Sequence, residues 1–236
     1  ARNEADSIGH VLRSIPNGLA RQIIVVDNGS TDKTATRART AGAVTINVAN
    51  CNSGDVQNAI NAASNGDSVL LPGGSCSWSS SVSIPSTKGI TLDGNGVTIN
   101  GRINVNQNAS TASRITRFTF TGADAVNASG SKTSAPFRID HNTFIVTSGG
   151  ATLINTSGNA PGLIDHNSFR APSNAEMIHN LGMGSTDDSG WSDDITPGSA
   201  QAVYIEDNTF INNLDFSSCN PCYFWGNSAV QSYYGA

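Results

Sequence analysis

A parallel β-solenoid preceded by a short α/β segment is the fold class this 236-residue sequence predicts. Two observations carry the solenoid. One phrase recurs as FRIDHNTF (137–144), GLIDHNSF (162–169) and VYIEDNTF (203–210), with a fainter form SRITRFTF at 113–120. The closing phenylalanines Phe120, Phe144 and Phe169 are 24 and 25 residues apart, and Phe210 follows after 41, one period plus an insertion. Repeats of this length stack because no single unit can bury its own apolar face. The second observation is a composition rich in Gly, Asn, Ser and Thr, which suits short strands joined by turns. A change of pattern near residue 43 sets the α/β segment apart.

Within residues 1–43, EADSIGHVLRSI has helical spacing through Ile8, Val11, Leu12 and Ile15, and Pro16-Asn17-Gly18 stops it. QIIVVD (22–27) reads as a buried parallel strand. DNGSTDKTATRARTAGA then turns into a helix, with Ser30 or Thr31 as N-cap and Asp32 in the first turn.

From residue 44 onward VTINVAN is a strand, and DVQNAINAASNGD (55–67) is an amphipathic helix with Val56, Ala59, Ile60 and Ala63 on one side. Gly66 is the expected left-handed cap of that helix. SVLLPGGSCSW, SVSIP, GITLDGNG and VTINGRINV follow as short strands broken by glycine, proline or asparagine. A helix in this place is the lid that covers the open end of a solenoid core.

Composition excludes several function classes. Only 13% of residues are charged and the net charge is −5, so the basic surface that nucleic acid or an anionic membrane requires is missing. No apolar run approaches the roughly 18–20 residues of a membrane span. Without an initiator methionine or a leader, the chain reads as a processed form or a piece of a longer one. The four cysteines, Cys51, Cys76, Cys219 and Cys222, read as structural disulfides of an oxidising compartment. A bridge between Cys51 and Cys76 would tie the first coil to its cap.

Two resemblances follow from these residues. ARNEADSIGHVLRSIP with IIVVDNGSTDKT resembles the opening of family 2 glycosyltransferases over about 43 residues. That likeness implies that Asp27 helps hold the nucleotide of a sugar donor, or that the segment is a remnant of such a transferase. DVQNAINAASNGDSVLLPGG, CSWSSSVSIP, KGITLDGNG and the I-[DE]-x-N-[TS]-F rungs resemble the pectate-lyase-like right-handed parallel β-helix proteins. The likeness spans 44–236 and implies a secreted protein that binds or cleaves polysaccharide. The alternative is a non-catalytic adhesin or carbohydrate-binding solenoid.

Aligned phrases define columns. Ile115, Ile139, Ile164 and Ile205 form one inward stack, and the four phenylalanines another. Asn142, Asn167 and Asn208 form an amide ladder, since asparagine tolerates left-handed backbone and pairs with its copy one coil away. Thr116, Asp140, Asp165 and Glu206 point outward by strand alternation, beside Arg117, His141, His166 and Asp207 at the bend. Acids stacked about 4.8 Å apart repel unless cations intervene, which makes the column a candidate site. A lyase would use Asp140, Asp165 and Glu206 around a cation, with Arg138 as base. A hydrolase would use two carboxylates as acid and base or nucleophile. The bland reading pairs the acids with His141, His166 and Arg138.

The insertion at 174–200 carries His179, Asp187, Asp188, Asp193 and Asp194 around Trp191. Clustered aspartates of this kind suit Ca²⁺, and Trp191, Tyr204 and His179 are candidate sugar contacts. No C-terminal cap follows NSAVQSYYGA, so further coils or a second subunit stacked on that end are expected.

Overall fold

The computed structural model describes residues 1–14, 25–27, 29–34, 38, 44–107, 110–131, 133–146, 152–158, 160–170, 176–180, 202–211, 222–225 and 228–229. Among them the chain is a right-handed parallel β-helix whose coils each pass through three sheets. The first complete coil runs β3 (Ser68–Leu70), β4 (Ser75–Cys76) and β5 (Val82–Ile84). Next come β6 (Thr91–Asp93), β7 (Thr98–Ile99) and β8 (Ile103–Gln107), then β9 (Ser113–Thr116), β10 (Thr119–Phe120) and β11 (Val126–Gly130). The fourth coil is β12 (Phe137–Asp140), β13 (Thr143–Ile145) and β14 (Thr152–Ser157), and the fifth β15 (Gly162–Asp165), β16 (Ser168–Arg170) and β17 (Glu176–Asn180). Strands β18 (Val203–Glu206), β19 (Thr209–Ile211), β20 (Cys222–Trp225) and β21 (Ser228–Ala229) continue two of the sheets. The first strands of all coils form one nine-stranded sheet, here called the front sheet; the second strands form a seven-stranded sheet and the third strands a five-stranded one.

The expected columns are present. Ile115, Ile139, Ile164 and Ile205 are in register, and the file extends back through Leu92, Val69 and Ile46. Phe120, Phe144, Phe169 and Phe210 stack with ring centroids 5.0, 4.7 and 4.9 Å apart. Offset aromatic stacks at this separation add to the area they bury. The 41-residue step from Phe169 to Phe210 is still one rung, because β16 pairs directly with β19. The strands CYFW and SA pair with β18 and β19 as a further rung beyond NTF.

Helix α2 (Ser53–Ala62) lies over the first coil, and Val56, Ala59, Ile60 and Ala63 join the continuous core. Asn52 caps it by accepting from the Asp55 amide at 2.9 Å. Its C-cap is Ala63 in extended backbone, not Gly66. Gly66 instead takes φ +85° in the following turn. Cys51 and Cys76 are disulfide-bonded with Cα atoms 5.9 Å apart, and the Trp78 indole donates to the Cys51 carbonyl at 2.8 Å. Together they fasten the lid to the first coil. Among the described residues, no helix is long and apolar enough to cross a membrane.

The α/β segment contributes α1 (Ile8–Ser14) and β1 (Val25–Val26). A small separate core of Ile8, Leu12, Val25 and Ala38 holds it. Val11, placed on the apolar face by its spacing, is 55% exposed, because that narrow core takes one stripe only. Strand β1 pairs with β2 (Val44–Asn47), itself paired with β3, so the front sheet runs on into the α/β segment.

Candidate functional site

Strand alternation leaves two files on the outer face of the front sheet. One runs Thr45, Ser68, Thr91, Arg114, Arg138, Leu163, Tyr204; the other runs Leu70, Asp93, Thr116, Asp140, Asp165, Glu206. Each arginine reaches one rung onward to an acid in the neighbouring file. Arg114 Nε donates to Asp140 Oδ1 at 2.7 Å, and its Nη2 donates to Oδ2. Arg138 repeats the motion onto Asp165, with Nε–Oδ1 2.9 Å and Nη2–Oδ2 2.6 Å. Arg117 reaches the opposite way, its Nε donating to Asp93 Oδ1 at 2.8 Å.

The bend adds two imidazoles. His141 Nδ1 is 2.7 Å from Asp140 Oδ2, and His166 Nδ1 is 2.8 Å from Asp165 Oδ2. Their rings are stacked, centroids 5.1 Å apart and planes within 4°. An ionised carboxylate only accepts, so each Nδ1 donates and Nε2 is left for solvent or ligand. Arg117, His141, His166 and Asp207 all adopt φ between +50° and +59°. The left-handed residue of each of these bends is its first, and the second (Phe118, Asn142, Asn167 or Asn208) is not left-handed, so the asparagine was the wrong candidate. Its amide is needed elsewhere: Asn167 Oδ1 accepts from the Asn142 amide at 3.0 Å, and Asn208 Oδ1 from the Asn167 amide at 2.9 Å.

Asp140 and Asp165 do lie on the outer face, yet their side chains are 0% and 3% exposed. The guanidiniums and imidazoles fold over them, which exposure read from alternation alone does not foresee. Burial acts to raise the Asp165 carboxyl, but hydrogen bonds from Arg138 and His166 outweigh it and hold the group below its ordinary value. Arg138 is in turn pushed up by its bond to Asp165, so it keeps its proton. This is the paired arrangement of acids with Arg138, His141 and His166, extended by Arg114. At the far end Leu163 stands where an arginine would reach Glu206, and among the described residues no ion pair reaches that carboxylate.

The other candidates are dispersed. Tyr204 lies on the front sheet, while His179 lies on the five-stranded sheet with its Nδ1 2.5 Å from Glu176 Oε1. Asp27 accepts from the Ser30 amide at 3.3 Å and from the Ser30 hydroxyl, turning its own loop. Asp187, Asp188, Trp191, Asp193, Asp194 and Cys219 lie outside the described residues, as does the Cys222 side chain. Among the described residues, no group of three or more His, Cys, Asp or Glu is arranged to hold a metal ion.

Sequence reasoning missed Arg114, Asp93 and Thr45. The alignment that stacks Ile115 on Ile139 also stacks Arg114 on Arg138, so the signal for the first was present. Asp93 and Thr45 belong to coils without the recurring phrase. All three line a groove of about 390 Å³ near the lidded end of the front sheet. Comparison of the chain with protein-family models, with curated proteins and with solved structures returned no match.

Proposed function

We propose that this protein is an extracellular, pectate-lyase-like β-helix that binds polysaccharide along the outer face of the front sheet without cleaving it. The observation that carries this reading is the saturation of Asp140 and Asp165 by Arg114, Arg138, His141 and His166. Carboxylates held this way are poor general acids and leave no vacant oxygen pair for a catalytic cation. The ladder they complete presents a rigid outer row of guanidinium N–H groups and imidazole edges, and rigidity lowers the entropic cost of binding a polymer. The Cys51–Cys76 bridge supports an oxidising compartment.

The test is titration calorimetry against a panel of acidic and neutral polysaccharides, run beside assays for unsaturated product at 235 nm and for new reducing ends. Binding without turnover is the expected result. Turnover that Glu206→Gln abolishes would favour a hydrolase instead, since among the described residues Glu206 is the acid on this face without an arginine beside it.

A further inference from the structure

The groove at the lidded end of the front sheet differs from the charged ladder beyond it. Its floor is the file Thr45, Ser68, Thr91, Arg114 beside the file Leu70, Asp93, Thr116. Three rung steps at about 4.8 Å make it about 14 Å long, the length of a short oligosaccharide rather than of one sugar. Arg117 and His141 form its rim.

Two of its hydroxyls are anomalous. Thr45 and Thr116 are each 3% exposed, both line the groove, and neither Oγ1 has a hydrogen-bond partner. A buried hydroxyl without a partner costs free energy until something pairs with it. Both stand on the groove's own floor files, in different rungs; each oxygen is closed to water as the side chain stands, so one elongated ligand pairs with both once the threonines turn about their Cα–Cβ bonds. Charge then limits what that ligand is. Arg117 is committed to Asp93 inside the groove, and Arg114 to Asp140 at its edge, through two hydrogen bonds each. The cations present are thus neutralised, and Leu70 adds an apolar patch of the kind that meets the C–H face of a pyranose ring.

Resting on the polysaccharide reading above, we infer that this groove takes a short stretch of a neutral, hydroxyl-rich glycan, held by the Thr45 and Thr116 hydroxyls, and not an acidic one. The experiment is calorimetry of the full chain with neutral hexasaccharides (cellohexaose, mannohexaose and xylohexaose) and with hexagalacturonate, at low and high salt. At least one neutral probe binds with little salt dependence. Thr45→Val and Thr116→Val each weaken it about tenfold, the loss expected for one buried hydrogen bond. Thr116→Ser, which keeps the hydroxyl, retains binding. Thr91→Val, on the half-exposed part of the same floor, provides a further reading should Thr116→Val not fold. Binding of hexagalacturonate alone, weakened by salt and indifferent to the threonine variants, overturns the neutral-glycan inference and leaves the polysaccharide reading standing. Neutral binding untouched by all three valine variants also overturns it. If neither the neutral nor the acidic probes bind, the polysaccharide reading fails as well.

Discussion

Asn167→Ala tests the buried amide ladder most directly. Asn167 is 2% exposed, and its side chain serves both neighbouring rungs. Its Oδ1 accepts from the Asn142 backbone N–H at 3.0 Å and from Asn142 Nδ2 at 3.1 Å. Its Nδ2 donates to the Ile139 carbonyl at 2.8 Å and to Asn208 Oδ1 at 3.0 Å. Alanine leaves the Asn142 N–H with no acceptor in a site closed to water, a penalty of about 1–3 kcal/mol. Two further bonds, to Ile139 and Asn208, disappear at about 1 kcal/mol each. The sum is about 4 kcal/mol, a large part of the roughly 5–15 kcal/mol that stabilises a typical domain. Urea unfolding followed by far-ultraviolet circular dichroism measures it as a fall in midpoint at unchanged slope. A loss below about 1 kcal/mol would mean that water or backbone rearrangement satisfies Asn142, and the ladder would then be ornament and not support.

Three other outcomes follow from the same contacts. Replacing Cys51 and Cys76 by serine opens a loop with a sequence separation of 25 and lowers stability by about 3.5 kcal/mol in the chain-entropy account, read as a shift in thermal midpoint. Gly162→Ala puts a Cβ 2.3 Å from the Phe137 ring, so overpacking costs about 1–3 kcal/mol, and Phe137→Leu in the same chain recovers part of it. Asp165 titrates below its ordinary value of 3.8 in the folded protein, so its contribution is complete above that pH and is lost as pH falls through the lower folded value. Arg138→Met removes a bond that lowers it, and the acid-unfolding midpoint accordingly moves to higher pH in a fluorescence titration.

Much of the fold was legible because a solenoid writes its geometry as a period. Once Phe120, Phe144 and Phe169 were aligned, the inward files, the asparagine ladder and the lid helix followed from alternation and amphipathicity alone. The site was less legible for a local reason. Alternation reports which side of a strand a residue occupies, but not that a long arginine side chain will lean across to the next rung and bury an acid there. The Arg114–Asp140 and Arg138–Asp165 pairs depend on that lean. The early coils were harder still. Between β6 and β7 four residues make the bend where later coils use two, so their Asp93 never fell into the recurring phrase.

That two-residue bend has a consequence for how such a chain can change. From β9 to β19 the front sheet is joined to the seven-stranded one by Arg117-Phe118, His141-Asn142, His166-Asn167 and Asp207-Asn208, always the same length. The coil that gained 16 residues over its predecessor, taking 41 rather than 25 between phenylalanines, left this joint untouched. One edge therefore acts as a ruler that keeps successive floors aligned, while the other two edges are free to sprout loops. New loops can be added to this protein without disturbing the imidazoles and carboxylates that stand along the measured edge.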